Sequence, residues 1–184
     1  MPEFAFKPPT ASQVHEYFEA EKVKIFESVK EAYILACIDA VNRARSTDTY
    51  KDRTNNLHSS IGYVLYFNGQ LVAEDFAVSG TGTGGGGDVK FTTKGGAEVS
   101  FTSKSKEASG QEGVRTGQEF AQMIAGRHKT DGFVAVIVAG MNYALYVEAK
   151  GYDVLTGSTL DITADLQKYF DIVNTQHGTS FRTR

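Results

Sequence analysis

The chain has 184 residues, 41% of them apolar, and a formal net charge of −3 at pH 7. That is enough apolar material for a packed core, and about 100–200 residues is the span of one domain, so a single domain is expected. The near balance of 19 Lys and Arg against 22 Asp and Glu excludes a nucleic-acid binder working by bulk positive charge, and the single Cys excludes an intrachain disulfide framework.

No run of about 18 apolar residues is present to span a membrane. Met1-Pro2-Glu3-Phe4 lacks the basic start and apolar run of a secretory signal, which predicts synthesis in a reducing cytoplasm. Pro8-Pro9-Thr10 then opens a helix, with Thr10 and Gln13 spaced as a capping box. The helix is expected over 10–45. Phe18, Ile25, Phe26, Val29, Tyr33, Cys37, Ile38 and Val41 recur at three- and four-residue steps along it. At about 1.5 Å per residue it is about 50 Å long, more than one small domain covers. Either it bends, or part of its apolar stripe meets another chain.

A polar, turn-rich stretch over 46–56 follows. Leu57-His58-Ser59-Ser60-Ile61 leads into Tyr63–Phe67, and Asn68-Gly69 separates that run from Gln70–Ala73. Asn-Gly between two β-prone runs specifies a hairpin, because both turn residues take positive φ. Segment 79–110 holds nine of the 19 glycines. Val89–Thr92 and Glu98–Phe101 alternate around Gly95-Gly96, which predicts a flexible Gly-rich arm or hairpin protruding from the core.

Val114, Phe120, Met123 and Ile124 mark a helix over 112–125, with Gly126 as its stop. The continuous β-branched run Phe133–Val138 predicts a central strand buried on both faces. Tyr143–Glu148 follows a turn at Gly140-Met141-Asn142, and Gly151 and Gly157 punctuate the next stretch. A last helix starts near Ser158 or Thr159 and carries Leu160, Ile162, Leu166, Phe170 and Val173, with a frayed tail from Gln176. The expected class is therefore α+β: a small, mainly antiparallel sheet packed by a long N-terminal helix and a C-terminal helix.

Chemical signals are sparse. Gly80-x-Gly82-x-x-Gly85 matches a dinucleotide-binding string, but a strand pattern follows it where the mechanism needs a helix N-terminus. No Walker-type phosphate loop is present. His15, His58, His128 and His177 are far apart and form no metal-binding spacing. Ser59 and Ser60 beside His58 lack a nucleophile elbow and read as hydroxyls at a strand start. Cys37 falls on the apolar stripe and reads as a buried thiol.

Glu148, Asp153, Asp161 and Asp165 crowd the C-terminal third. Asp161 and Asp165 read as exposed charge near a helix start, whereas Glu148 ends an aromatic segment and is expected to be partly buried. Arg43, Arg45, Lys51 and Arg53 form a basic cluster that reads as a solvated face. None of these residues is assigned a catalytic, metal or cofactor role.

Two segments carry a family resemblance: Asp52-Arg53-Thr54-Asn55-Asn56-Leu57-His58-Ser59-Ser60-Ile61-Gly62, and Gly140-Met141-Asn142-Tyr143-Ala144-Leu145-Tyr146-Val147-Glu148-Ala149-Lys150-Gly151. With the long N-terminal helix, they resemble the tail-completion, or head–tail connector (neck), proteins of long-tailed double-stranded DNA phages and prophages. In that family a T-G-x-L-x-x-S-I-like segment enters the first strand, matched here by Thr54, Leu57, Ser60 and Ile61. A Y-A-x-Y-V-E-x-G-like segment follows the last strand, matched by Tyr143, Ala144, Tyr146, Val147, Glu148 and Gly151. Asn55 stands where the family usually has glycine, and Tyr152–Gly157 replaces an Arg-Pro-rich stretch.

The resemblance implies a structural virion component without catalysis or cofactor, made in the host bacterial cytoplasm. It would complete the tail or join head to tail through ring-like homo-oligomerisation. Its partners would be copies of itself and other neck or tail proteins, with DNA passing nearby and no membrane. Two other readings stand beside it: a small cytoplasmic enzyme using Glu148 with a nearby His or Asp, and an adaptor whose arm adds a strand to a partner sheet.

Overall fold

The computed structural model describes residues 8–47, 49–79, 87–92, 98–103, 110–128 and 131–177. Thr10 caps α1 (Ala11–Arg45) through the expected box: its Oγ1 accepts from the Gln13 amide at 3.3 Å, and Gln13 Oε1 accepts from Thr10 N at 2.9 Å. The Ser46 and Thr47 hydroxyls end the helix by donating to the Arg43 carbonyl.

After a helical turn, α2 (Asn56–Ser59), the chain enters β1 (Ile61–Phe67) and returns as β2 (Gln70–Asp75). Asn68 and Gly69 between them have φ of 48° and 78°, the paired left-handed turn that Asn-Gly specifies. A bulge between Leu65 and Tyr66 shifts the register. Later come α3 (Gln111–Arg127), β5 (Phe133–Ala139), α4 (Ala144–Ala149), α5 (Thr156–Thr159) and α6 (Ile162–His177). Between β2 and α3, β3 (Gly87–Thr92) and β4 (Glu98–Ser103) pair antiparallel as a separate two-stranded sheet, with Val89 opposite Phe101 and Phe91 opposite Val99. This is the hairpin expected around Gly95-Gly96. Residues 80–86, 93–97 and 104–109, on which the expected flexibility of the arm falls, lie outside the described residues, as does the tail from 178.

The main sheet has the order β2-β1-β5, antiparallel throughout. The central strand is therefore β1, not β5. The apolar run of β5 suggested a strand covered on both faces, but β5 is an edge strand whose residues are mostly half-buried. The run is apolar because α1 and α3 flank the sheet, not because strands lie on both sides.

Alternation along β1 sends Ile61, Tyr63 and Leu65 toward α1, where they meet Cys37, Val41 and Ala44. Val64 turns to the opposite face and packs with Ala121, Ala125 and Val138. Each such large side chain, fully buried, contributes about 1.5–3 kcal/mol. The result is three layers: α1 with α6, the sheet, and α3.

The α3 layer differs from its sequence reading. Its buried positions are Gly113, Gly117, Ala121 and Ala125, while Phe120 and Met123 are exposed. Small residues let the helix lie against backbone. A Cβ on Gly113 would collide with the Asn56 carbonyl, and one on Gly140 would collide with Gly117. Gly126 does not stop the helix, which runs one residue further. The C-terminal helical segment begins earlier than expected, as the turn α5, and α6 proper starts at Ile162.

Helix α6 packs antiparallel to α1. Arg43 pairs with Asp165, Tyr169 donates to Asp39, and the ring of Tyr33 packs edge-on against Phe170. Along this register one helix advances as the other retreats, so His177 falls level with about Glu31 of α1. On the sheet side, Phe26 sits on Phe67 and Phe133 with ring centroids at 4.8 and 5.5 Å, while Arg45 reaches Ile61 at the other end of β1. The sheet thus ends near Phe26 and α6 ends near Glu31. Everything N-terminal to them on α1 extends beyond the packed layers. Val14, Tyr17, Phe18, Val23 and Ile25 are all exposed.

Candidate assembly site

Antiparallel pairing of β1 with β5 sets Ile61 opposite Ala139. The residues just before β1 and just after β5 therefore meet at one end of the sheet. These are the two segments that carry the resemblance. Ser60 joins them: its carbonyl accepts from Gly140 N at 3.1 Å and its Oγ accepts from Met141 N at 3.3 Å while donating to the Leu57 carbonyl at 2.8 Å. The side chain of Thr54 hydrogen-bonds Tyr143, and Leu57 is buried with Tyr143 and Val147 packed around it. Ile61 is buried in the same cluster.

Asn55 has φ of 62° and is buried. The backbone there requires the left-handed region, which Asn tolerates better than other side chains.

Glu148 is partly buried, as its position predicted, and its carboxylate holds the following loop. Its Oε1 accepts from the amides of Leu155 at 3.0 Å and Thr156 at 2.8 Å, at the start of α5. Burial opposes ionisation, but the amide bonds from Thr156 and Leu155 outweigh it and hold the carboxyl below its ordinary range. Gly151, with φ of 86°, turns the chain after α4. The Tyr143–Glu148 segment itself is mostly this short helix. Of the nine motif residues Thr54, Leu57, Ser60, Ile61, Tyr143, Tyr146, Val147, Glu148 and Gly151, the structure brings together the two sets and uses most of them as framework. Tyr146 is the exception among the large side chains, 64% exposed.

Tyr146 stands on the wall of a groove of about 520 Å³, with Tyr50, Tyr143 and Tyr152 as further aromatic lining and Lys51 and Lys150 at its rim. Lys150 Nζ lies 5.2 Å from the Tyr146 ring centroid. Beneath the groove, the Asp52 carboxylate accepts from the His58 backbone at 2.8 Å and faces His58 Nδ1 at 3.2 Å. His58 Nε2 faces the Thr47 carbonyl at 3.4 Å, and the ring stacks on Tyr50 at 4.9 Å. Burial raises the Asp52 pKa, and the bonds from His58 more than offset that, leaving it below its ordinary value. The Tyr50 hydroxyl is sealed from solvent and has no hydrogen-bond partner among the described residues. Burial pushes its pKa up, so it stays protonated. Sequence reasoning missed this groove. The signal available to it was the density of tyrosines in two segments that only the sheet register brings together.

Other candidates resolve separately. Ser59 Oγ bonds the backbone of Ser79 and Ser60 Oγ the backbone of Leu57 and Met141, while the His58 ring faces the Asp52 carboxylate and the Thr47 carbonyl. Arg43 and Arg45 are not a solvated face. Arg43 donates to the Ser158 carbonyl and to Asp165, and Arg45 donates to the Ile61 carbonyl at 2.7 Å beside Asp75 at 3.5 Å. Only Lys51 and Arg53 of that cluster stay exposed. Asp165 is correspondingly not an exposed charge, since its side chain is 16% accessible and paired, whereas Asp161 is exposed. The difference is tertiary, because α6 turns Asp165 onto α1. Cys37 is buried, and burial pushes its thiol up to about 12. Gly80–Gly85 lies outside the described residues, and the segment after it is strand β3. Among the described residues no three His, Cys, Asp or Glu gather as a metal site, and no helix is long and apolar enough to cross a membrane.

Compared with known proteins, the chain matches no family model, no curated sequence and no solved structure.

Proposed function

We propose that this chain is a structural subunit of a long-tailed double-stranded DNA phage or prophage, completing the tail or joining head to tail as a ring of identical copies. The observation that carries the reading is the single framework built from the two motif segments. Ser60, Leu57, Thr54 and Tyr143 hold the residues before the first strand against those after the last, and Glu148 fixes the loop that follows. A second support is the apolar end of α1, whose Val14, Tyr17, Phe18 and Ile25 are exposed among the described residues. A ring subunit needs such a surface, because identical copies joined head to tail close into rings. Its expected partners are copies of itself and neighbouring neck or tail proteins, and its expected place is the virion.

Deleting the gene from its phage or prophage and imaging the induced lysate tests the reading. Heads and tails are expected to accumulate unjoined, or with abnormal tail ends. Normal joined and infectious particles in the deletion would overturn it.

A further inference from the structure

We infer that the bare N-terminal end of α1 docks into the tyrosine-lined groove of a second copy of this chain, giving a head-to-tail contact. The inference deepens the reading above by naming the two surfaces that join copies, and it rests on that reading for the ring.

Four observations carry it. The first is phase. Val14, Phe18 and Ile25, at steps of four and seven, continue at steps of three and four onto Ser28, Ala32 and Ala36, which are buried. One helix face is therefore covered for half its length and open for the rest. The second is charge. The first three turns carry Glu16, Glu19 and Glu21 with no Lys or Arg, Lys22 and Lys24 following directly, whereas the exposed charges at the groove rim are Lys51 and Lys150. The existing Glu19–Lys22 and Glu21–Lys24 pairs are exposed, so they cost little to rearrange.

The third is chemistry. The tip offers Tyr17 and Phe18 side by side, centroids 6.1 Å apart, and the groove offers the exposed rings and hydroxyls of Tyr146 and Tyr152, with Tyr50 and Tyr143 as further aromatic lining. The fourth is geometry. The groove includes Thr49–Asp52, just past the C-terminus of α1, and the tip is at its N-terminus. About 50 Å of continuous helix separates them, so one chain cannot satisfy both surfaces itself. Each copy then offers one tip and one groove, a heterologous pair that propagates until it closes.

The test uses two double variants of the full chain, with solution mass measured by light scattering and helicity checked by circular dichroism. Tyr17→Ser with Phe18→Ser removes the tip, and Tyr146→Ser with Tyr152→Ser removes the groove. All four residues are exposed, so folding is expected to survive. The wild type is expected to grow beyond a monomer with concentration. Each variant alone is expected to stay monomeric at the same concentration. An equal mixture of the two, which has one intact tip and one intact groove, is expected to stop at two chains. A charge exchange is a second check: Glu16→Lys with Glu19→Lys should weaken assembly at least tenfold, and adding Lys51→Glu with Lys150→Glu should restore it.

If either variant alone assembles like the wild type, this contact is wrong while ring formation by another surface stands. If only the tip variant is monomeric, tips pair with tips and the inference falls. A wild type that stays monomeric at millimolar concentration overturns both the contact and the homo-oligomeric reading, whereas the deletion phenotype judges the virion role independently.

Discussion

The two halves of α1 follow the same apolar period and meet different fates. From Phe26 onward the helix lies between the sheet and α6, and Ala32, Ala36, Ala40 and Ala44 are fully or nearly fully buried. Small residues dominate there because two helices and a strand approach closely. From Ala11 to Ile25 the same face carries Val14, Tyr17, Phe18 and Ile25, large side chains that stay exposed among the described residues. An amphipathic stripe therefore specifies that a face is to be covered, but not whether the covering element belongs to the same chain. The covered half is stabilised by tertiary contacts. Among the described residues the bare half is held by its cap, the Ser12–Glu16 hydrogen bond and the Glu19–Lys22 and Glu21–Lys24 pairs, the side-chain pairs worth about 0.2–0.5 kcal/mol each.

The contrast is sharpest if one substitution is placed on the same face in each half. Ala36→Asp puts an unpaired carboxylate between α1 and its neighbours and is expected to cost about 3–5 kcal/mol, enough to abolish folding of a marginal domain. Val14→Asp, on the same face in the first turn, is expected to leave urea unfolding of the dilute monomer within about 0.5 kcal/mol. It adds an acid to a first turn that has none. A large loss for Val14→Asp would mean that the bare half is packed in the isolated chain.

The junction of the packed end gives a smaller effect with a pH signature. Asp52 and Glu148 both have carboxyls held below their ordinary values of 3.8 and 4.5. Groups depressed in the folded state stabilise it above the unfolded pKa, and that stability is lost as pH falls through the folded pKa. The melting temperature is therefore expected to hold from pH 7 to about 5 and to fall below about pH 4. Asp52→Asn, which weakens the bonds from His58, is expected to cost about 1.5 kcal/mol at pH 7 and to flatten that acid limb. An unchanged slope in the variant would show that Asp52 does not carry it.

Tyr169→Phe removes the bond to Asp39 that helps set α6 beside α1, at an expected cost of about 1 kcal/mol in the urea midpoint. The smallest effect belongs to the bare end. Thr10→Ala removes the cap at an expected local cost of about 1 kcal/mol, read as faster amide exchange over 11–16 with no change in the global midpoint. A matching drop in the midpoint would contradict the separation of the two halves.

Legibility follows the same division between local and distant causes. The Thr10–Gln13 box, the length of α1 and the Asn68-Gly69 hairpin were readable because each depends on residues within a turn or two. The edge position of β5 was not, because Phe133–Val138 looks alike whether covered by strands or by helices. Arg43 and Asp165 looked like surface charge because their partners lie 122 residues apart. Glu148 was rightly expected to be partly buried, but its role in holding α5 was invisible. The groove was invisible too, since Tyr50 and Tyr146 become neighbours only through the register of β1 and β5. What the period did convey was that α1 is too long for its domain.

The most direct test is amide hydrogen exchange across α1 as protein concentration is raised through assembly. In the dilute monomer, residues 11–25 are expected to exchange much faster than 28–44, and on assembly they are expected to slow at least tenfold while 28–44 stay unchanged. Assembled protein in which 11–25 still exchange at the monomer rate would contradict the claim that a second copy covers the open end of this helix.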